Sequence, residues 1–118
     1  MEQDDLRDNF IQELRRGVII LAVLGCLGEE QYGYSIMKSL SDRGLEVDQG
    51  TLYPLLRRLE TQGLLESKWR MEEARPRRYY VISAEGRSLL PQLYFEWQKL
   101  SGIVNGIMSA QESFHGND

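Results

Sequence analysis

The sequence predicts a mainly α fold with a small β-hairpin: a winged helix-turn-helix followed by a C-terminal dimerisation helix. Three observations predict it. Four stretches carry apolar residues at spacings of three and four. Between the third and fourth stretches lie two short runs with the alternation and β-branched, aromatic content of strands. The basic residues gather in the middle of the chain, on the third stretch and on those two runs.

The first helix is predicted over 6–27, where Leu6, Phe10, Ile11, Leu14, Val18, Leu21 and Ala22 recur at helical spacing. From Val18 onward it is apolar nearly all round and needs cover on every side, from its own domain and from a second subunit. Gly28 closes it. The second helix, 31–43, places Tyr32, Ile36, Met37 and Leu40 on one face, with Gly44 as its stop. After a short connection, Asp48 offers an N-cap for a third helix over 50–63. Leu52, Leu55, Leu56 and Leu59 form its narrow apolar stripe, and Thr51, Tyr53, Pro54, Arg57, Arg58 and Thr61 fall opposite. Pro54 is tolerable because the helix begins only a few residues earlier, where backbone donors lack partners.

Strands are predicted over 65–71 and 77–82, with 72–76 as the hairpin tip. Ser83 caps a last helix in which Leu90, Leu93, Trp97, Leu100, Val104 and Ile107 alternate at intervals of three and four, a heptad seam. Pro91 is expected to kink this helix or to set its first turns apart. The predicted organisation is a winged-helix domain over 1–83, a dimerisation helix over 84–113 and a frayed tail over 114–118. A chain of 118 residues holds one compact domain plus one extra element.

A formal net charge of -4 argues, taken alone, against a nucleic-acid partner. The distribution argues otherwise. Residues 1–48 carry five bases against ten acids, and 83–118 carry two against four, whereas 49–82 carry seven bases against four acids. Because salt screens charges beyond about 8 Å, a phosphate feels that basic segment and not the average.

Other chemistry finds little support. The lone Cys26 sits in an apolar run and His115 in the tail, so they form no catalytic pair, and no cluster has metal-ligand spacing. Neither an enzyme activity nor a cofactor is expected. The acidic N-terminus is unlike a signal peptide, and the longest apolar run, Val18 to Leu27, is short of the roughly 20 residues of a membrane span, so a soluble cytoplasmic protein with no membrane partner is expected.

Helix, helix, turn, helix, hairpin, helix is the order of a winged helix-turn-helix, in which the third helix enters the major groove of double-stranded DNA. The residues expected at an operator are Tyr34, Gln49, Thr51, Tyr53, Pro54, Arg57 and Arg58 from the helices and Lys68, Arg75, Arg77 and Arg78 from the wing. The surplus apolar surface of the first and last helices predicts a two-fold homodimer.

Three segments carry a family resemblance: Tyr32-Gly33-Tyr34-Ser35-Ile36, Gly50-Thr51-Leu52-Tyr53-Pro54-Leu55-Leu56-Arg57-Arg58 through Leu65, and Arg75-Pro76-Arg77-Arg78-Tyr79-Tyr80 through Arg87. At their matching spacings they resemble the PadR family of transcriptional regulators, in its short branch with a single C-terminal helix. The resemblance implies winged-helix dimers that repress nearby genes until a small molecule binds. It also implies an effector site at Trp97, where some short members stack planar compounds between subunits; Leu90, Tyr94 and Ser101 lie on the same side. Packing of the dimer seam is the simpler role for that tryptophan. One departure is the wing tip, glycine-rich in the family and Glu72-Glu73-Ala74 here. With the acidic total charge, it keeps open an alternative: a winged-helix module that binds protein and not DNA.

Overall fold

The computed structural model describes residues 2–116, with side chains as far as Gln111. Its elements are α1 (Glu2–Cys26), β1 (Gln31–Tyr32), α2 (Gly33–Asp42), α3 (Gln49–Thr61), β2 (Leu65–Glu72), β3 (Arg75–Ile82) and α4 (Ala84–Gly116). The mainly helical fold with a small hairpin is borne out.

Leu52, Leu56 and Leu59 are the buried stripe of α3; Leu55, half-buried, packs at its edge. They meet Val23, Leu24 and Leu27 of the first helical segment, Ile36 and Leu40 of α2, and Leu65, Tyr80 and Ile82 of the sheet. Burying each such side chain contributes roughly 2 kcal/mol relative to leaving it in water. That core seats α3 so that the side opposite its leucines faces outward.

The helix ends follow their caps. Asp48 accepts the Thr51 N–H at 2.8 Å, which starts α3. The Ser83 hydroxyl accepts the Gly86 N–H at 3.0 Å and donates to the Gly63 carbonyl at 2.6 Å, so one side chain starts α4 and ties it to the turn after α3. Gly86 permits that closeness: a Cβ there would lie 2.3 Å from the Leu64 carbonyl oxygen.

Three features differ from the sequence expectation. Gln31 and Tyr32 do not open the second helix; they form β1, antiparallel to β3, and the sheet order is β1-β3-β2. The cause is lateral: the Tyr32 ring lies 5.4 Å from that of Tyr79 across the strands. Pro91 does not divide the last helix, which runs unbroken through it, and α4 continues beyond residue 113 to Gly116. Of the expected tail, Asn117 and Asp118 lie outside the described residues. The hairpin is tighter than expected, with β2 and β3 paired from Leu65↔Ile82 to Glu72↔Arg75. Only Glu73 and Ala74 turn the chain, at φ 48 and 66.

The molecule is long, 66 × 38 × 24 Å, because most of α4 extends past the core. Leu6, Phe10 and Leu14 on α1 and Phe95, Leu100, Val104 and Ile107 on α4 stand exposed. Among the described residues no helix is long and apolar enough to cross a membrane.

Candidate nucleic-acid interface

The exposed side of α3 carries Thr51, Pro54, Arg57 and Arg58. Tyr53 is half-buried, seated on the first residue of α2: a Cβ on Gly33 would lie 2.3 Å from the tyrosine ring. The glycine of the Tyr32-Gly33-Tyr34 segment is thus what lets α3 lie close to the start of α2.

Between α3, the start of α2 and the wing runs an open concavity of about 590 Å³. It gathers six of the residues expected at DNA: Tyr34, Tyr53, Arg57, Arg75, Arg77 and Arg78. Tyr32, Trp69 and Tyr80 also line it and were not anticipated as site residues. The signal for Trp69 was available: it alternates with Ser67 and Leu65, and so shares the strand face that meets the core.

The other expected residues lie elsewhere. Gln49 is exposed at the start of α3. Thr51, Pro54 and Arg58 border a separate crevice whose far wall is α1. Lys68 is on the hairpin face opposite Trp69, Arg78 and Tyr80, a face that strand alternation gives also to Arg70, Arg75 and Arg77; there it and Arg70 reach the Glu30 carboxylate at 3.2 and 2.6 Å.

Several wing cations are engaged by acids of the same chain. Arg78 donates to Glu60 of α3 at 2.8 Å and to the Ser67 hydroxyl at 2.9 Å, and Ser67 in turn donates to Glu60. The Arg78 guanidinium lies 5.7 Å from the ring centres of both Trp69 and Tyr80. This closed set joins the wing to α3. Burial pushes the Tyr80 phenol up, so it stays neutral beside the arginine. Arg77 sits 4.6 Å over the Tyr32 ring and 3.5 Å from Glu72. Among the described residues, Arg57, Arg58 and Arg75 make no such ion pair, and they are exposed.

On α4, the Tyr94 and Trp97 rings stack at 6.2 Å and 11°, half-exposed. Leu90 packs against the core, and the Ser101 hydroxyl donates to the Gln98 carbonyl at 3.1 Å. Among the residues searched, no group of His, Cys, Asp and Glu is arranged to hold a metal ion.

A three-helix core with a paired hairpin and a presented third helix defines the class: a winged helix-turn-helix protein. Residues 20–92 match the model of the transcriptional regulator PadR-like family. A transcriptional regulator of Mycobacterium tuberculosis, Rv3488, is 32% identical over 108 residues, covering 91% of this chain and 98% of that protein. The solved structure of a PadR family transcriptional regulator from Eggerthella lenta is 42% identical with a TM-score of 0.84, covering 92% of this chain and 96% of that one. A PadR-like transcription factor from Bacteroides fragilis is 35% identical with a TM-score of 0.71, covering 84% of this chain and 98% of that one. The chain belongs to the PadR-like family of transcriptional regulators, and the resemblance drawn from its three segments is borne out.

Proposed function

We propose that the protein is a DNA-binding repressor that acts as a homodimer on a double-stranded operator and is released by a small planar, apolar ligand. The observation that carries the DNA part is the meeting of Arg57 and Tyr53 of α3 with Arg75, Arg77 and Arg78 of the wing along one concave surface. With α3 in a major groove, Arg57 reaches base edges, where a guanine takes an arginine in bidentate fashion. Arg75, without an ion-pair partner among the described residues, and Arg77 meet the backbone. Lys68 has Glu30 as its partner and is left out of this interface.

Pairing of two chains is supported by the exposed apolar stripe on α1 and α4, where Leu14 is 77% and Ile107 56% exposed. So long a stripe is covered most simply by the same stripe on a second copy, which sets two recognition helices about 34 Å apart. The effector part rests on the Tyr94–Trp97 stack, which offers a flat apolar face on that same stripe.

Two measurements test these parts. The double variant Arg57→Ala, Arg58→Ala loses operator affinity by about 100-fold, at 1–3 kcal/mol for each arginine. Full affinity in that variant removes α3 from the interface. Absence of salt-dependent duplex binding in the wild-type protein favours the protein-binding module instead. Titrated with a planar acridine dye in the absence of DNA, the wild type shows quenched tryptophan emission and Trp97→Ala does not, while Trp97→Ala still binds operator. Trp69 also emits, so quenching that persists in Trp97→Ala moves the ligand away from the α4 seam.

A further inference from the structure

We propose that helix α1 belongs to the DNA interface, with Arg16 and Arg58 holding the phosphate backbone of the strand the wing does not reach. The inference rests on the proposal that α3 enters a major groove. An α-helix is about 10–12 Å across and the major groove about 12 Å wide, so a helix lying in it has a phosphodiester backbone on both sides. A protein that grips DNA through such a helix needs cations on both sides as well. The wing answers for one side only.

On the other side of α3 a crevice of about 260 Å³ separates α3 from α1. Arg16 stands on its α1 wall, and Thr51, Pro54 and Arg58 stand on its α3 wall. Its remaining lining, Ile19, Ile20 and Leu55, is apolar, so two arginines share it with no acid. Both are exposed, and among the described residues neither has an ion-pair or side-chain hydrogen-bond partner. Glu46 and Asp48 border the adjoining crevice that Arg16 also lines, but neither is within ion-pair distance of Arg16 or Arg58, and two like charges left without an ion-pair partner favour an anion. Nearby, Arg15 donates to the Glu46 carbonyl, the Glu46 carboxylate accepts from Ser41, and the Asp48 carboxylate accepts the Thr51 N–H, so both acids keep their charge but point to these donors. Thr51 adds a hydroxyl to the same wall. The crevice thus carries one arginine on each wall beside the recognition helix, and the group they hold is DNA phosphate.

The test uses the full chain and a 30-bp duplex carrying the sequence that the wild-type protein selects from a random pool. Affinity is measured against salt concentration, and phosphate ethylation interference is mapped on both strands. In the wild type, interference falls on both strands of each half-site. Arg16→Ala weakens binding about fivefold, makes the salt slope shallower by about one per half-site, and erases interference on one strand. Arg16→Lys keeps the slope. Arg43→Ala, removing an exposed cation that does not line the crevice, changes neither slope nor map.

An unchanged slope and map in Arg16→Ala overturn the α1 contact while the DNA reading stands. A loss of affinity with unchanged slope, accompanied by dissociation of the dimer in sedimentation, overturns it too, since Arg16 then acts in assembly. Failure of the wild-type protein to select or bind any duplex removes both proposals at once.

Discussion

The recognition helix and the wing carry arginines in equal view of the sequence, and the fold treats them differently. On α3, Arg57 and Arg58 are exposed and have no acid partner among the described residues. On the wing, Lys68 and Arg70 share Glu30, Arg77 meets Glu72 and Arg78 meets Glu60, which leaves Arg75. A count of basic residues therefore overstates the charge the wing offers to phosphate. The paired set instead fixes the hairpin: Glu30, in the connection between α1 and β1, anchors one face, and Glu60 anchors the other to α3. The helix presents charge, and the wing spends most of its own on being held in place.

Glu60→Ala gives the largest effect within this comparison, and its sign is diagnostic. The substitution makes the protein less negative, so charge alone raises operator affinity. If Arg78 serves to hold the wing against α3, affinity falls instead, because Arg78 and Ser67 both lose their partner. Charge-assisted hydrogen bonds of this kind are worth about 1.5–3 kcal/mol when sheltered. Partial exposure of both side chains brings that down to about 1 kcal/mol, or roughly a fivefold loss in binding. A rise in affinity in a filter-binding or fluorescence-anisotropy titration shows that Arg78 is simply a phosphate contact restrained by Glu60.

What the sequence made legible follows the same division. Local signals were read well: the leucine stripe of α3, the Asp48 and Ser83 caps, the hairpin and the family segments all depend on near neighbours in the chain. Signals that depend on distant residues were not. β1 is two residues long, too short for alternation to appear, and exists because Tyr32 meets Tyr79. The Glu30–Lys68–Arg70 and Glu60–Ser67–Arg78 groups join positions that no spacing rule connects. Lys68 and Arg78 also looked equivalent in sequence, although strand alternation separates them: Lys68 stands three residues from Leu65, an odd step, and Arg78 four from Ile82, an even one. Pro91 had a local rule against it, yet α4 runs through. Arg16 was read only as part of a first helix assigned to dimer packing.

The wing tip provides a smaller effect. Glu73 and Ala74 turn the hairpin in left-handed backbone conformations, and a residue with a Cβ pays roughly 1 kcal/mol there. Ala74→Gly removes that cost, although glycine adds freedom to the unfolded chain and gives part of the gain back. The net expectation is a thermal midpoint raised by about 2 °C. Because Ala74 is not among the residues lining the α3–wing concavity, operator affinity stays the same. A lowered midpoint shows that the turn is relaxed by contacts of its own.

Glu30→Gln is expected to do least, and that is its use. It releases Lys68 and Arg70, two cations at 59% and 47% side-chain exposure, on the hairpin face that Arg75 and Arg77 share. Exposed pairs of this kind contribute little to stability. Neither cation lines the concavity between α3 and the wing, and screening over about 8 Å weakens charge that stands off from bound DNA. Operator affinity should therefore change by less than about twofold, and the salt slope should not change. A tenfold tightening with a steeper slope would mean that Lys68 reaches phosphate once Glu30 lets it go. The wing would then resemble the recognition helix in presenting its charge, and Glu30 would be a brake on DNA binding.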